Sequence, residues 1–260
     1  MVSGLLAVLR GARSLAAMLS VLLLFVVGAA YQRLLVWPLV LLFPARRLTL
    51  MASYVRVMCS WIFALLRFGG ASARRSGLLP TDQPVLILGN HQGLLDIPTI
   101  VLICHPFVPL FVTRRRYARF VPAVSLALRL VGCPIIDPRG RRGALAVLQR
   151  TAREKPHGIL IFLEGHRARD GEIGPFKAAG TIATLTERRR PVYLVVSDGF
   201  WTCCRLVDFL FNVHKIRGET EVLGPFQPPE EPQELAAFVE SLRQAMIDRL
   251  KAMRERRRVV

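Results

Sequence analysis

From Pro84 onward, the chain alternates short apolar runs with longer amphipathic segments. Runs of branched and aromatic residues bounded by turn residues are typical of buried strands, and apolar residues at spacings of three and four are typical of helices. The predicted strands are 84–89, 108–113, 133–137, 158–163 and 191–197. The predicted helices are 97–104, 119–131, 143–154, 178–188 and 233–256. This alternation predicts an α/β fold with a mostly parallel central sheet flanked by helices.

The N-terminal part of the chain is apolar instead of alternating. No charged residue occurs between Arg13 and Arg33, and a membrane helix needs about 20 residues. Two further apolar runs follow at 34–43 and 57–66. Residues 14–32 can span a membrane once, or the first two runs can form a shallow hairpin. A cleaved signal peptide is disfavoured, because further apolar runs follow at once.

The segment 71–83 is largely polar and rich in turn residues, so we place a domain boundary there. The sequence thus predicts a membrane-associated, membrane-anchoring helical segment over residues 1–70. The second domain, over residues 71–260, carries the predicted sheet.

The charge of the chain is strongly unbalanced, with a net charge of +18. Such an excess favours an anionic membrane surface or nucleic acid as a partner. The basic residues are dispersed, without an aromatic-interleaved patch, which argues against nucleic acid. The 5 cysteines are odd in number, and neither they nor the 5 histidines have the spacing of metal ligands. We therefore expect no disulfide framework and no metal.

His91 and Asp96 follow the first predicted strand of the second domain. Histidine is the usual general base near neutral pH, and a carboxylate bonded to one ring nitrogen leaves the other free to take a proton. Residues five apart on a straight helix point about 140° apart, so the pair can meet only if the chain turns. Gly93 permits that turn. From this segment alone two alternatives remain: a catalytic pair, or a helix-capping aspartate beside a loop histidine.

A second polar cluster follows the predicted strand 158–163. Glu164, His166 and Arg167 come directly after it, and Lys177 opens the next predicted helix. Arginine binds phosphate through two hydrogen bonds, and helix N-termini attract anions. Both clusters lie beyond the carboxyl ends of predicted strands, where open α/β sheets bind ligands. The cluster therefore predicts an anion site, with a solvated basic loop as the alternative.

Together these residues resemble the motifs of the glycerolipid acyltransferase family, which includes 1-acylglycerol-3-phosphate acyltransferase. The family's first motif is Asn-His-x4-Asp, its second is a strand ending in Asp-Arg, and its third is Phe-Pro-Glu-Gly-Thr-Arg, followed by Phe-Lys-x-Gly. The matching positions are Asn90, His91 and Asp96; Asp137 and Arg139; Phe162, Glu164, Gly165 and Arg167; and Phe176, Lys177 and Gly180. A fourth motif, an apolar strand with a central proline, is met weakly by 191–196, so the resemblance covers 84–196.

The chain departs from the family pattern at several positions. Leu163 stands where the family has proline, His166 stands where it has threonine, and Pro138 displaces Arg139 by one position. Leu194 occupies the proline position of the fourth motif. The departures leave the His-Asp pair intact but leave the acyl acceptor open, because in the family the second and third motifs bind the acceptor.

The resemblance implies an O-acyltransferase of phospholipid synthesis. The enzyme would move a fatty acyl group from acyl-CoA or acyl-carrier protein to the 2-hydroxyl of 1-acylglycerol 3-phosphate, giving phosphatidic acid. The implied catalytic residues are His91 and Asp96, and the implied substrate-binding residues are Arg139, Glu164, Gly165, Arg167 and Lys177. No cofactor is implied beyond the acyl donor.

The resemblance also implies a place and partners for the protein. We expect it at a membrane, on the cytoplasmic face of the inner or cell membrane, with membrane lipids, a lysophospholipid and an acyl thioester or acyl-carrier protein as partners. Nucleic acid is not expected. Two alternatives stay open: the same chemistry on a lyso-ornithine lipid or other lysophospholipid, and a non-catalytic basic protein that binds a membrane surface or nucleic acid.

Overall fold

The computed structural model describes residues 2–137 and 140–259, and in it strands from distant parts of the chain form one main sheet. The strands are β1 (Ser72–Ser76), β2 (Leu79–Pro80), β3 (Leu86–Gly89), β4 (Cys104–His105), β5 (Leu110–Phe111), β6 (Thr113–Arg114), β7 (Ile135–Ile136), β8 (Ile159–Phe162), β9 (Val192–Asp198) and β10 (Arg217–Phe226). The main sheet has 6 strands in the order β1-β10-β9-β3-β8-β5. Strands β9, β3, β8 and β5 run parallel, whereas β10 runs antiparallel to β9.

Helices cover this sheet and enclose the apolar core. They are α1 (Val2–Tyr31), α2 (Trp37–Leu42), α3 (Arg47–Phe68), α4 (Asp96–Ile103), α5 (Tyr117–Phe120), α6 (Val124–Val131), α7 (Arg141–Glu154), α8 (Ala178–Glu187), α9 (Phe209–Asn212) and α10 (Leu235–Val259). Apolar side chains of α4, α8 and α10 pack with those of β3, β8 and β9 in one cluster. The predicted α/β fold, with a mostly parallel sheet flanked by helices, is confirmed.

Several elements differ from the sequence prediction. The predicted strand 108–113 is divided into β5 and β6, and 133–137 contributes only β7, which pairs with β6 outside the main sheet. The predicted helix 119–131 is divided into α5 and α6 by Pro122, whose ring and missing N–H break a helix interior.

Of the main-sheet strands, the sequence prediction missed β1 and β10. In β10, Gly218, Thr220 and Val222 alternate with charged residues, so the strand has the correct period but little apolar character. Its acidic residues Glu219 and Glu221 form ion pairs with arginines of α10. The arginines that pair with these charges are distant in sequence, so the local pattern of residues does not predict the strand.

The two N-terminal apolar runs belong to one helical stretch. Gly4–Leu42 is continuous and passes through a π-helical turn at Gln32–Val36, just before Pro38. The wider turn accommodates a proline that would otherwise clash with the preceding turn. The chain reverses at Phe43 and returns as α3, so the reversal lies after the second run and not between the first two.

By length and composition, Gly4–Leu42 and Pro44–Phe68 could each cross a membrane. The buried share of each apolar window is 33%. Buried helices of soluble proteins and signal sequences also meet this criterion, so it suggests membrane association only weakly. The division at residues 70 and 71 stays a prediction.

The sheet brings two loops to the same edge. Strands β3 and β8 are parallel neighbours in which Gly89 pairs with Phe162, so both end at the same level. The chain that follows each strand carries the polar clusters predicted from the sequence. This edge is the usual ligand-binding position of an open α/β sheet.

Candidate active site

His91 and Asp96 are in direct contact at the edge of the sheet. His91 Nδ1 lies 2.7 Å from Asp96 Oδ2, and the Asp96 side chain is completely buried. The same carboxylate oxygen accepts the backbone N–H groups of Gln92 at 2.7 Å and Gly93 at 2.8 Å. Asp96 is the first residue of α4, but its carboxylate points back to the preceding loop. Of the two alternatives for this segment, the structure therefore shows the paired arrangement.

The pairing has a direct consequence for the His91 ring. A hydrogen bond from Nδ1 to a carboxylate places the proton on Nδ1 and leaves Nε2 as the acceptor. The ring also stacks on Phe162, with ring centroids 4.1 Å apart and planes inclined by 15°. The His91 side chain is 15% exposed, so the ring is held from two sides and still reaches the surface.

Asn90 fixes the loop that carries His91. Its amide nitrogen donates to the Ser197 carbonyl, and its amide oxygen accepts the Ser197 N–H, both at 2.8 Å. These two hydrogen bonds tie the loop to β9. On the other side, His91 accepts the N–H of Ala168 through its backbone carbonyl at 2.7 Å.

Glu164 lies beneath this loop and is 1% exposed. The backbone N–H of His91 donates to Glu164 Oε1 at 3.4 Å. Burial raises the pKa of the Glu164 carboxyl from 4.5 to about 7, and the nearby carboxylates of Asp96 and Asp170 add to this rise. The N–H groups of His91 and Gly174 oppose it. Glu164 therefore changes protonation near neutral pH.

The raised pKa of Glu164 predicts a pH-dependent stability. The folded protein keeps the Glu164 carboxyl proton up to about pH 7, whereas the unfolded chain releases it near pH 4.5. The contribution of this proton to the stability of the folded state is therefore fully present below pH 4.5. It is lost as the pH rises through about 7. In chemical denaturation, the free energy of unfolding of Glu164→Gln should rise relative to that of wild type between pH 5 and 8, by at most about 3 kcal/mol. The exposed control Glu230→Gln should show no such change with pH. A difference between Glu164→Gln and wild type that does not vary with pH would contradict the raised pKa of Glu164.

Of the basic side chains predicted from the sequence, Lys177 lies at Gly165 and Arg167 contacts the Cys204 carbonyl. This glycine has φ +69°, and a Cβ built on it would lie 3.0 Å from Lys177 Nζ. Lys177 therefore lies directly over the loop, and its backbone N–H donates to the Leu163 carbonyl at 2.8 Å. Arg167 is half-buried, and its Nη1 donates to the Cys204 carbonyl at 3.2 Å.

The structure adds one cation that the sequence prediction missed. Arg114 Nη2 donates to the Gly165 carbonyl at 2.6 Å, so this guanidinium and Lys177 both contact Gly165. The signal was available, because Arg114 ends β6 and follows the predicted strand 108–113. It was missed because three consecutive arginines at 114–116 give no indication of which one turns inward.

The structure does not show a substrate-binding role for two of the predicted positions, Arg139 and Gly165. Arg139 lies outside the described residues, so its predicted phosphate role stays a prediction. The N–H of Gly165 donates to the Phe162 carbonyl at 3.2 Å, so the structure gives that amide a partner other than a substrate oxygen. Among residues 2–137 and 140–259, no group of three His, Cys, Asp or Glu side chains could hold a metal.

Comparisons with known proteins show what this chain is similar to. The acyltransferase family model matches residues 73–196, which include both loops. Over 110 residues the chain is 31% identical to the chloroplastic 1-acyl-sn-glycerol-3-phosphate acyltransferase BAT2 of Brassica napus. Over residues 73–196 the chain is therefore similar to the acyltransferase family.

Other relatives match over longer segments. The 1-acyl-sn-glycerol-3-phosphate acyltransferase alpha of Ovis aries is 24% identical over 179 residues, which cover 65% of this chain and 58% of that protein. The Brassica napus match covers 41% of this chain and 31% of the relative, so the chain spans about a third of that protein.

A solved structure shows the same fold. The 1-acyl-sn-glycerophosphate (LPA) acyltransferase PlsC from Thermotoga maritima superposes with a TM-score of 0.66 over 94% of this chain and 98% of that chain. The identity is 20%, so this likeness concerns the fold alone.

Proposed function

We propose that the protein transfers a fatty acyl group from an acyl thioester to the 2-hydroxyl of 1-acylglycerol 3-phosphate. The observation that carries this proposal is the His91–Asp96 pair, at 2.7 Å, beside a group of cations at one edge of the sheet. Such a pair supplies a base for a hydroxyl, and the cations suit a phosphate. The relatives named 1-acyl-sn-glycerol-3-phosphate acyltransferases support the same acceptor.

In the proposed reaction, His91 Nε2 removes the proton of the acceptor hydroxyl as the oxygen attacks the thioester carbonyl. Asp96 stabilises the imidazolium that forms. The tetrahedral intermediate then collapses, the C–S bond breaks, and the imidazolium returns its proton to the departing sulfur. The products are an ester and a thiol, His91 is neutral again, and no covalent enzyme intermediate forms.

The cations around Gly165 are proposed to bind the acceptor phosphate. Lys177 and Arg167 were predicted from the sequence, and Arg114 joins them because it lies against the same loop. Arg139 keeps the same proposed role from its motif position. Glu164, buried beneath the loop, is proposed to organise this group and the glycerol portion of the acceptor.

We further propose that the apolar helices hold the site at a bilayer surface on its cytoplasmic face. Both the lysophospholipid and its product reside in that bilayer. The length and composition of Gly4–Leu42 and Pro44–Phe68 support this placement. The acyl donor is an acyl-CoA or an acyl-carrier protein, and both present the same thioester to the base.

The acceptor is tested with a panel of lysolipids. Purified protein in detergent is given labelled acyl-CoA with 1-acylglycerol 3-phosphate, a lyso-ornithine lipid or lysophosphatidylcholine, and the products are identified by mass spectrometry. We expect kcat/KM to be highest for 1-acylglycerol 3-phosphate, with phosphatidic acid as the product. A preference for the lyso-ornithine lipid would move the assignment to the alternative acceptor, for which His166, 67% exposed and 4.0 Å from Glu164, is the observation in favour. Transfer to none of the three lipids would contradict the proposal.

A further inference from the structure

The side chain of Gln92, beside the proposed base, joins three segments of the protein. Gln92 is completely buried, and its Nε2 donates to the Gly171 carbonyl at 3.0 Å and to Asp198 Oδ1 at 3.4 Å. Its Oε1 accepts the backbone N–H of Phe200 at 3.3 Å. One amide thus connects the loop after β3, the loop after β8 and the end of β9.

Both acceptors of the Gln92 amide are held by the C-terminal helix. The Asp198 side chain is 3% exposed and pairs with Arg254 Nη2 at 3.3 Å and with Arg257 Nη1 at 3.1 Å. A buried carboxylate needs such partners, because an uncompensated charge is costly away from water. Arg254 Nη2 also donates to the Gly171 carbonyl at 2.8 Å. Gln92, Gly171, Asp198, Arg254 and Arg257 are called the Gln92 network below.

The Gln92 network ends at the His-Asp pair. The backbone N–H of Gln92 donates to Asp96 Oδ2 at 2.7 Å, the oxygen that also faces His91 Nδ1. Gln92 therefore connects the two groups: its side chain contacts Gly171 and Asp198, and its backbone N–H contacts Asp96. A shift of Gln92 would alter a hydrogen bond of Asp96 and displace the adjacent His91.

We propose that Arg254 is a positioning residue for the His91–Asp96 pair, acting through Gly171, Asp198 and Gln92. This inference rests on the proposed function, since it assigns a role in the same reaction. Arg254 bridges the loop after β8 and the end of β9, since it donates to the Gly171 carbonyl and to Asp198. Catalysis depends on sub-ångström placement, and a displacement of about 1 Å can reduce the rate about 100-fold.

The test compares two arginines on the same helix. Arg254→Met removes the contacts with Gly171, Asp198 and the exposed Glu172 but keeps an unbranched side chain. Arg256→Met is the matched control, because Arg256 pairs with Glu219 and Glu221 on β10. We expect Arg254→Met to lower kcat by about 10- to 100-fold with the KM of both substrates changed less than about threefold. Arg256→Met should keep both constants within about twofold of wild type, since exposed pairs contribute little.

Two further variants keep the test decisive. Arg254→Lys keeps the charge beside Asp198 but cannot reach two acceptors as a planar fork, so it should fold and recover part of kcat. Gln92→Met removes the side-chain hydrogen bonds of Gln92 in the network, and it should also lower kcat and leave KM unchanged. The inference is overturned if Arg254→Met and Gln92→Met keep wild-type kcat, or if kcat falls as much in Arg256→Met as in Arg254→Met.

His91→Ala is assayed in parallel to separate the two proposals. If His91→Ala is as active as wild type, the proposed function fails. An inactive His91→Ala together with a fully active Arg254→Met refutes only the positioning role.

Discussion

Replacing His91 by alanine is expected to lower kcat for acyl transfer by about 100- to 10,000-fold, the range that a positioned general base contributes. The loss should appear in kcat, because the imidazole acts on the hydroxyl proton in the transition state and makes no lasting contact with the phosphate. His91 stacks on Phe162 and is 15% exposed, so the folded protein should survive the substitution. Steady-state rates of acyl transfer to 1-acylglycerol 3-phosphate measure the effect.

The control for this prediction is His105→Ala. His105 is an exposed histidine at the end of β4 and belongs to neither cluster of the site. It should keep wild-type kcat. Asp96→Asn gives a second comparison, since an amide can keep the geometry but hold the wrong imidazole tautomer. A His91→Ala protein with near wild-type kcat would show that the base has been assigned wrongly.

Removing the cations near Gly165 is expected to have the second largest effect. A hydrogen bond to a charged group contributes about 1.5–3 kcal/mol, so Arg167→Ala and Lys177→Ala should each raise the KM for 1-acylglycerol 3-phosphate by about 10- to 100-fold. The KM for acyl-CoA should change much less. Initial rates over a range of acceptor concentrations provide both constants.

The matched control for the cations is Arg188→Ala. Lys177 precedes α8 and Arg188 follows it, so the two cations lie at opposite ends of a helix about 15 Å long. Arg188 is exposed and lies away from Gly165, and its removal should leave the acceptor KM unchanged. An unchanged acceptor KM in Arg167→Ala and Lys177→Ala would remove these residues from the phosphate site.

The parts of the site that local rules define could be predicted from the sequence. A strand, a glycine turn and a helix start allow His91 and Asp96 to meet within six residues, and the second cluster with the resemblance favoured the pair over a helix cap. Glu164 and Lys177 followed in the same way from strand β8 and the start of α8. In each case the decisive information lay within one loop and its adjoining elements.

The parts that depend on long-range contacts could not be predicted. Arg114 reaches Gly165 because β5 neighbours β8 in the sheet, and no local pattern gives that strand order. Strand β10 is stabilised by arginines of α10, so its charged residues resembled those of a loop. The link from Arg254 to Gln92 through Asp198 exists because α10 packs against β9, and no local pattern gives that packing.

The central claim is that the acyl group passes directly from the thioester to the acceptor with His91 as the base. A single-turnover experiment tests it, with the protein in excess over thioester labelled in the acyl group, followed by denaturation and separation of protein from lipid. With 1-acylglycerol 3-phosphate present, the label should appear in phosphatidic acid, the denatured wild-type protein should carry none, and His91→Ala should form product about 100-fold more slowly or worse. Label bound covalently to the wild-type protein in the absence of acceptor, or an unchanged rate in His91→Ala, would contradict the account.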